Sequence, residues 1–327
     1  PRGKTVLKKM LESADVVTEN YRADTMAKLG LGYDDLKHIN PALIYCAISG
    51  FGRTGPYASR GGYDLIAQGM SGLMSATGEG PGRPPVKVGA PVCDITAGIL
   101  AAMGVLAAYV HRLKTGQGQM VDTSLFEAGI THTYWQSAIA LATGIAPGPM
   151  GSAHPLNAPY QAVETANGWI TFSGANTRNW VRLLELLGLS ELENDPRFKD
   201  NAGRMANLGE LTELLSAEFR KKPRETWLEE LEAVKIPAGP VFDVNEMHAD
   251  EHTLARGMVV EVEHDRIGNV KTIGCPVKFS ETPSAVHSAA PLYAQHTREV
   301  MAEFGFGAEE IESLIADGAI IAHESKS

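Results

Sequence analysis

Cysteine is scarce. The 327 residues contain three, Cys46, Cys93 and Cys275. None has the short spacing that holds zinc, and an odd count without a disulfide framework fits a reducing compartment. Positive charge is short as well: 29 Lys and Arg face 39 Asp and Glu, a net charge of −10. Such a chain is poorly suited to nucleic acid, which is held by neutralising phosphates, so no nucleic-acid partner is expected. Ten histidines are present, yet none stands in H-E-x-x-H, and no serine stands in G-x-S-x-G. Zinc and serine hydrolases therefore lack support, and no metal is expected. No apolar run reaches the length of a membrane span. The longest, Ile95 to Val110, ends in His111-Arg112; it reads as a buried helix, and no membrane partner is expected. The chain opens Pro1-Arg2-Gly3-Lys4, without Met or signal peptide, and enters a helical pattern at once. The expectation is that a segment, with any leader it carries, precedes it, and that the protein is cytoplasmic and bacterial.

What is present is the material for a full core. Apolar residues make up 44% and charged residues 21%, and the length suggests two domains. Helix and strand alternate early: helix over 4–13, strand over 15–18, short helices at 24–29 and 33–39, strand over 43–49. This argues for an α/β domain with a parallel sheet. Residues 50–62, GFGRTGPYASRGG, satisfy G-x-G-x-x-G at Gly50, Gly52 and Gly55. Pro56 stands where a pyrophosphate-binding helix should open, so the stretch reads as a loop. A helix over 64–76 follows, then the small-residue helix 95–113, then Val121 leading into apolar helix to about Ala142. The texture changes near 144. A hairpin turning at Asn167-Gly168, amphipathic helices over 178–187, 207–220 and 224–234, and a second hairpin across 258–274 are α+β in character. The expected division is a large domain of 1–145 and 285–327 and a small domain of 146–284, with the terminal helices returning to the first.

Asp94 is the carboxylate of most interest. It stands between the apolar stretch Ala90–Cys93 and the small-residue helix. Spacing alone favours an N-cap. The amides and dipole of a helix N-terminus also keep a carboxylate ionised, and an ionised carboxylate can attack an activated acyl group. Cap and nucleophile are compatible roles. The early basic residues Arg22, Lys28, Arg53, Arg60, Arg83 and Lys87 suit either a solvated surface or contacts to an anionic ligand.

Several segments together resemble the family III CoA-transferases, the CaiB/BaiF type that includes formyl-CoA transferase. They are TENYRADTMAKLGLGY at 18–33, NPALIYCAISGFGRTGPY at 40–57, GGYDLIAQGMSGLMSATG at 61–78 and CDITAGILAAMGVLAAYVHRLKTGQGQMVDTSLFEA at 93–128. In the C-terminal half AHPLNAPYQAVETANGWI at 153–170, IPAGPVFDV at 236–244 and RGMVVEVEH at 256–264 agree. The resemblance implies a Rossmann-like large domain, a smaller α+β domain and an interlocked homodimer. It implies transfer of coenzyme A from an acyl-CoA to a small carboxylic acid, with coenzyme A as substrate and carrier. Asp94 would be the nucleophile, passing through an anhydride and an aspartyl thioester. Asn20, Tyr21, Arg22 and Lys28 would contact coenzyme A, and Gly61, Gly62, Tyr63 and Asp64 would line the same site. Read without the resemblance, Asn20 suits a turn, Arg22 and Lys28 suit a surface, and Tyr63 suits a core. GPMGSAHPLNAPYQ lacks the glycine run of formyl-CoA transferase, which argues against formyl-CoA and oxalate as substrates. Two rivals remain: a 2-methylacyl-CoA racemase on the same fold, and a non-catalytic fragment that binds coenzyme A. Racemases carry His-Asp where this chain has Tyr63-Asp64, and tyrosine is a poor base near neutral pH.

Overall fold

The computed structural model describes residues 1–323. The chain divides into two compact units. One takes in residues 1–77, 85–147 and those from Val260 onward; the other takes in 78–84 and 148–259. The hairpin after Val259 thus sits in the first unit, whereas the sequence expectation grouped it with the smaller domain.

The first unit opens with α1 (Arg2–Leu11), β1 (Val16–Glu19), α2 (Thr25–Lys28), α3 (Tyr33–Leu36) and β2 (Ile44–Ser49). After a long irregular stretch come α4 (Asp64–Met70), α5 (Leu73–Ala76), α6 (Val92–Thr115), β3 (Met120–Ser124), α7 (Leu125–Thr131) and α8 (Tyr134–Thr143). The strands form a parallel sheet in the order β1-β2-β3, with Val16 opposite Ile44 and Tyr45 opposite Met120. The central strand, IYCAIS, is covered almost throughout, and its near-continuous apolar run is what a parallel strand covered on both faces requires. Because the strands are parallel, Asn20, Gly50 and Leu125 all emerge at the carboxyl edge of the sheet, where open α/β sheets hold their ligands.

Two helices read as continuous are broken. Gly72, with φ of 85°, separates α4 from α5, and His132-Thr133 separates α7 from α8. A larger difference concerns α6. It begins three residues earlier than expected and runs for 24 residues. By length and composition it is long and apolar enough to cross a bilayer, which corrects the expectation that the run falls short. Nor is it buried all round. Cys93, Ala97, Ala101 and Ala108 form its covered stripe, packed on β2 and β3. Ile99, Met103, Leu106, Val110 and Leu113 form an exposed apolar face, Leu106 at 65%. Hydropathy marks a residue as apolar but does not say what covers it within one chain.

The second unit holds β4 (Tyr160–Thr165), β5 (Gly168–Ser173), α9 (Thr177–Leu187), α10 (Asn201–Ala206), α11 (Leu208–Phe219), α12 (Arg224–Ala233), β6 (Ala238–Pro240), α13 (Val244–Ala249) and α14 (Glu251–Ala255). Its antiparallel sheet β4-β5-β6 is covered by amphipathic helices. In α9, Asn176 caps the start by accepting the Asn179 N–H at 2.8 Å, and Trp180, Leu183, Leu184 and Leu187 form the buried stripe. They join Phe172, Phe198, Leu211, Leu215, Phe219 and Trp227 in one core. Arg204 lies inside it, 3% exposed. It donates to the carbonyls of Ala158 at 2.6 Å, Phe198 at 3.0 Å and Ala175 at 3.0 Å, so one guanidinium ties three chain segments. The hairpin β7 (Val259–His264) and β8 (Gly268–Ile273) follows, then α15 (Thr297–Glu303) and α16 (Ala308–Ala316). The last two pack Met301, Ile311 and Leu314 with Val6 of α1.

Candidate active site

A cleft of about 520 Å³ opens at the carboxyl edge of the parallel sheet. Four stretches wall it: Asn20 to Ala23 after β1, Ile48 to Gly50 at the end of β2, Arg60 to Tyr63 before α4, and Asp94 with Gly98 on α6; Leu125 at the start of α7 completes it. Two of the walls meet backbone to backbone. A Cβ on Gly50 would lie 2.7 Å from the Gly62 Cα, and a Cβ on Gly62 would lie 2.5 Å from the Gly50 Cα. No side chain fits at either position, so the G-F-G and R-G-G-Y-D segments need glycine there for contact.

Asp94 is not the cap of α6. Pro91 is the N-cap, and Asp94 lies in the first helical turn. The cap function falls to Asp64 of α4, whose Oδ1 accepts the Cys93 N–H at 2.9 Å. Its Oδ2 accepts from Gln68 Nε2 at 2.7 Å, and Gln68, fully buried, accepts the Val88 N–H at 2.9 Å. Asp64 and Gln68 thus pin both the start of α6 and the loop before it. The Asp94 carboxylate is left free: no hydrogen bond or ion pair engages it among the described residues. Although it opens to the cleft, neighbouring protein strips part of its water. That loss of solvation, and then the charge of Asp64, hold its pKa above that of an ordinary aspartate. The direction is opposite to the one expected from a helix N-terminus, because burial and then the neighbouring Asp64 charge outweigh any help from the helix end. Beside it, burial pushes the Cys93 thiol up to about 11, leaving it protonated and inert at neutral pH.

The structure sorts the early basic residues. Lys28 pairs with Asp24 and does not line the cleft. Arg53 pairs with Glu19, Arg83 with Glu79, and Lys87 donates to the carbonyls of Val88 and Gly89. Arg22 and Arg60 line the cleft and have no carboxylate partner among the described residues. Arg60 rests over the Tyr57 ring, 3.9 Å from its centroid. In an acidic chain, two guanidiniums left without acidic partners on one cleft suit an anionic ligand. Tyr63 is 78% exposed, so it is no core residue.

The cleft therefore gathers Asn20, Tyr21, Arg22, Gly61, Gly62, Tyr63 and Asp94, while Lys28 and Asp64 stand outside it. Ser49, Gly50, Arg60 and Gly98 line it in addition; of these the sequence marks Arg60 only as one of several early basic residues and Gly50 only as part of a loop, and Ser49 and Gly98 carry no signal. For Gly50 a signal was present: a glycine directly after a predicted strand. Among the described residues no group of His, Cys, Asp or Glu is arranged to hold a metal ion.

The chain is similar to known proteins over nearly its whole length. It is 37% identical over 303 residues to the succinate–glutarate CoA-transferase of Agrobacterium fabrum, covering 93% of this chain and 76% of that protein. It is 33% identical to the succinyl-CoA:glutarate CoA-transferase of Mus musculus, covering 100% of this chain and 75% of that protein. Among solved structures, a CaiB/BaiF family protein from Brucella suis superposes with a TM-score of 0.81 at 38% identity, covering 92% of this chain and 78% of that one. The profile described as CoA-transferase family III matches residues 1–297, and with these likenesses the chain belongs to that family and is a CoA-transferase.

Proposed function

We propose that the enzyme moves coenzyme A from an acyl-CoA to a small carboxylic acid, with Asp94 as the covalent nucleophile. The observation that carries the reading is the free, partly desolvated Asp94 carboxylate in a cleft that also presents Arg22 and Arg60. An Asp94 oxygen attacks the donor thioester carbonyl and the C–S bond breaks, giving an anhydride and coenzyme A thiolate. The thiolate attacks the aspartyl carbonyl of the anhydride, the C–O bond breaks, and the donor acid leaves. An acceptor carboxylate then attacks the aspartyl thioester, and the same steps run in reverse. The thioester bond is conserved throughout, so no nucleotide is consumed. A raised pKa serves this chemistry, since a less solvated, more basic carboxylate is the better nucleophile once ionised. Asn20, Tyr21, Arg22, Gly61, Gly62 and Tyr63 hold coenzyme A in this reading. Asp64 acts from outside the cleft, by fixing the first turn of α6, and Lys28 stands beyond it.

The acids proposed are small dicarboxylates, since the relatives' names specify succinate and glutarate. The working form is proposed to be an interlocked homodimer, because one chain leaves apolar faces of α6 and α8 uncovered, with Leu113 at 69% and Leu141 at 88%. Its three unpaired cysteines suit the reducing, cytoplasmic setting proposed for it. The test is succinyl-CoA with glutarate in the presence of hydroxylamine. A hydroxamate on the peptide containing Asp94, and no transfer by a folded Asp94→Ala variant, are expected. Substantial residual transfer by that variant would refute the assignment.

A further inference from the structure

We propose that Arg53 is a positioning residue for the coenzyme, acting through the Asn20–Ala23 loop rather than by touching the ligand. The inference rests on the reading that this loop meets coenzyme A. Glu19, the last residue of β1, is 5% exposed, and a buried carboxylate persists only with partners. Among the described residues, Arg53 Nη1 donates to its Oε1 at 2.7 Å, the Tyr21 N–H donates to its Oε2 at 2.8 Å, and the buried Tyr45 hydroxyl feels its charge. Arg53 Nη2 reaches further and donates to the Ala23 carbonyl at 2.7 Å. One guanidinium therefore grips the cleft-lining loop at both ends, indirectly at Tyr21 and directly at Ala23.

The grip has a fixed base. The Arg53 N–H donates to Asp122 of β3 at 3.0 Å, and the Gly52 N–H donates to Ser49 of β2 at 2.9 Å. The turn after β2 is thereby bonded to two strands, and its side chain holds the loop after the third. Arg53 itself does not line the cleft. The task needs a planar fork with two nitrogens aimed at two acceptors, which lysine offers only as a point charge. Among the described residues Asp94 has no bond to this network, so disturbing Arg53 alters how the coenzyme is held and leaves the attacking carboxylate in place.

The test compares wild type, Arg53→Gln and Arg53→Lys. Hydrogen–deuterium exchange of the peptide spanning 19–23 is read in the absence of substrate. Steady-state transfer is read with succinyl-CoA varied at saturating glutarate. In Arg53→Gln the loop amides exchange faster and KM for the acyl-CoA rises roughly tenfold, with kcat within about twofold, the signature of lost uniform binding. Arg53→Lys recovers part of the KM, and its single contact provides a second variant if Arg53→Gln fails to fold. Unchanged loop exchange, or a lowered kcat at unchanged KM, overturns the proposal. Exchange needs no turnover, so a wild-type protein inactive in transfer would refute the functional reading while this test still stands.

Discussion

Replacing Asp64 by asparagine separates the two things that residue does. Asn keeps one carbonyl oxygen, enough for the Cys93 N–H, but it turns an NH2 group toward Gln68 Nε2, which now donates to Asp64 Oδ2. Gln68 cannot resolve that clash by flipping, because its own carbonyl oxygen accepts the Val88 N–H. The expected loss of stability is the charge-assisted part of the cap, about 1 kcal/mol, plus one N–H of the buried Gln68 amide left without its acceptor, about 1–3 kcal/mol, the other N–H keeping the Ala90 carbonyl at 3.4 Å. Together these amount to roughly 2–4 kcal/mol, measured by urea unfolding. The second effect is electrostatic. Asp94 attacks only when ionised, and its raised pKa places the acid limb of kcat/KM above the range of an ordinary aspartate. Burial is the larger cause and the Asp64 charge the smaller. Removing that charge therefore moves the limb toward lower pH without bringing it to the unperturbed position. A variant as stable as wild type, or an acid limb that stays put or moves upward, would refute the coupling between the two carboxylates.

Two further outcomes follow from other parts of the molecule. Arg204→Met leaves three carbonyls in the second unit without their donor, and is expected to cost about 3–5 kcal/mol; urea denaturation checks it, and a loss below about 1 kcal/mol would show those carbonyls were satisfied otherwise. The uncovered apolar faces of α6 and α8 predict an obligate dimer. Analytical ultracentrifugation at nanomolar concentration is expected to show no folded monomer, and a monodisperse folded monomer there would remove the interlocked arrangement.

What was legible in the sequence is what local pattern determines. The parallel sheet followed from short helices alternating with β-branched and apolar runs, and both hairpins from their turn residues. The stripe of α9 is visible as Trp180, Leu183, Leu184 and Leu187. The G-x-G-x-x-G spacing was rightly set aside, since residues 50–62 form irregular loop with no helix opening at Pro56. The start of α6 was missed by three residues because Pro91 gives no hydroxyl or carboxylate to mark a cap. The side chain that does the capping, Asp64, is 29 residues away from the amide it binds.

The same reason explains how the basic residues were sorted. Residue type alone gives Arg22, Lys28, Arg53, Arg60, Arg83 and Lys87 equal standing as anion contacts, and the family resemblance points to Arg22 and Lys28. A charge becomes available to a ligand only if no neighbour has claimed it, and the claim is a tertiary fact. For Lys28 the claimant, Asp24, lies one helical turn earlier, a spacing at which side chains meet; that pairing could have been read. For Arg53 the claimant is Glu19, 34 residues earlier, and only the parallel pairing of β1 with β2 brings the ends of those strands together. Arg22 and Arg60 line the same cleft as Asp94 and, among the described residues, form no ion pair. The distinction between cations that hold the loop and cations that face the ligand thus arises from strand order, so a search for anion sites by residue type alone would have counted Arg53 and Lys28 with the other two.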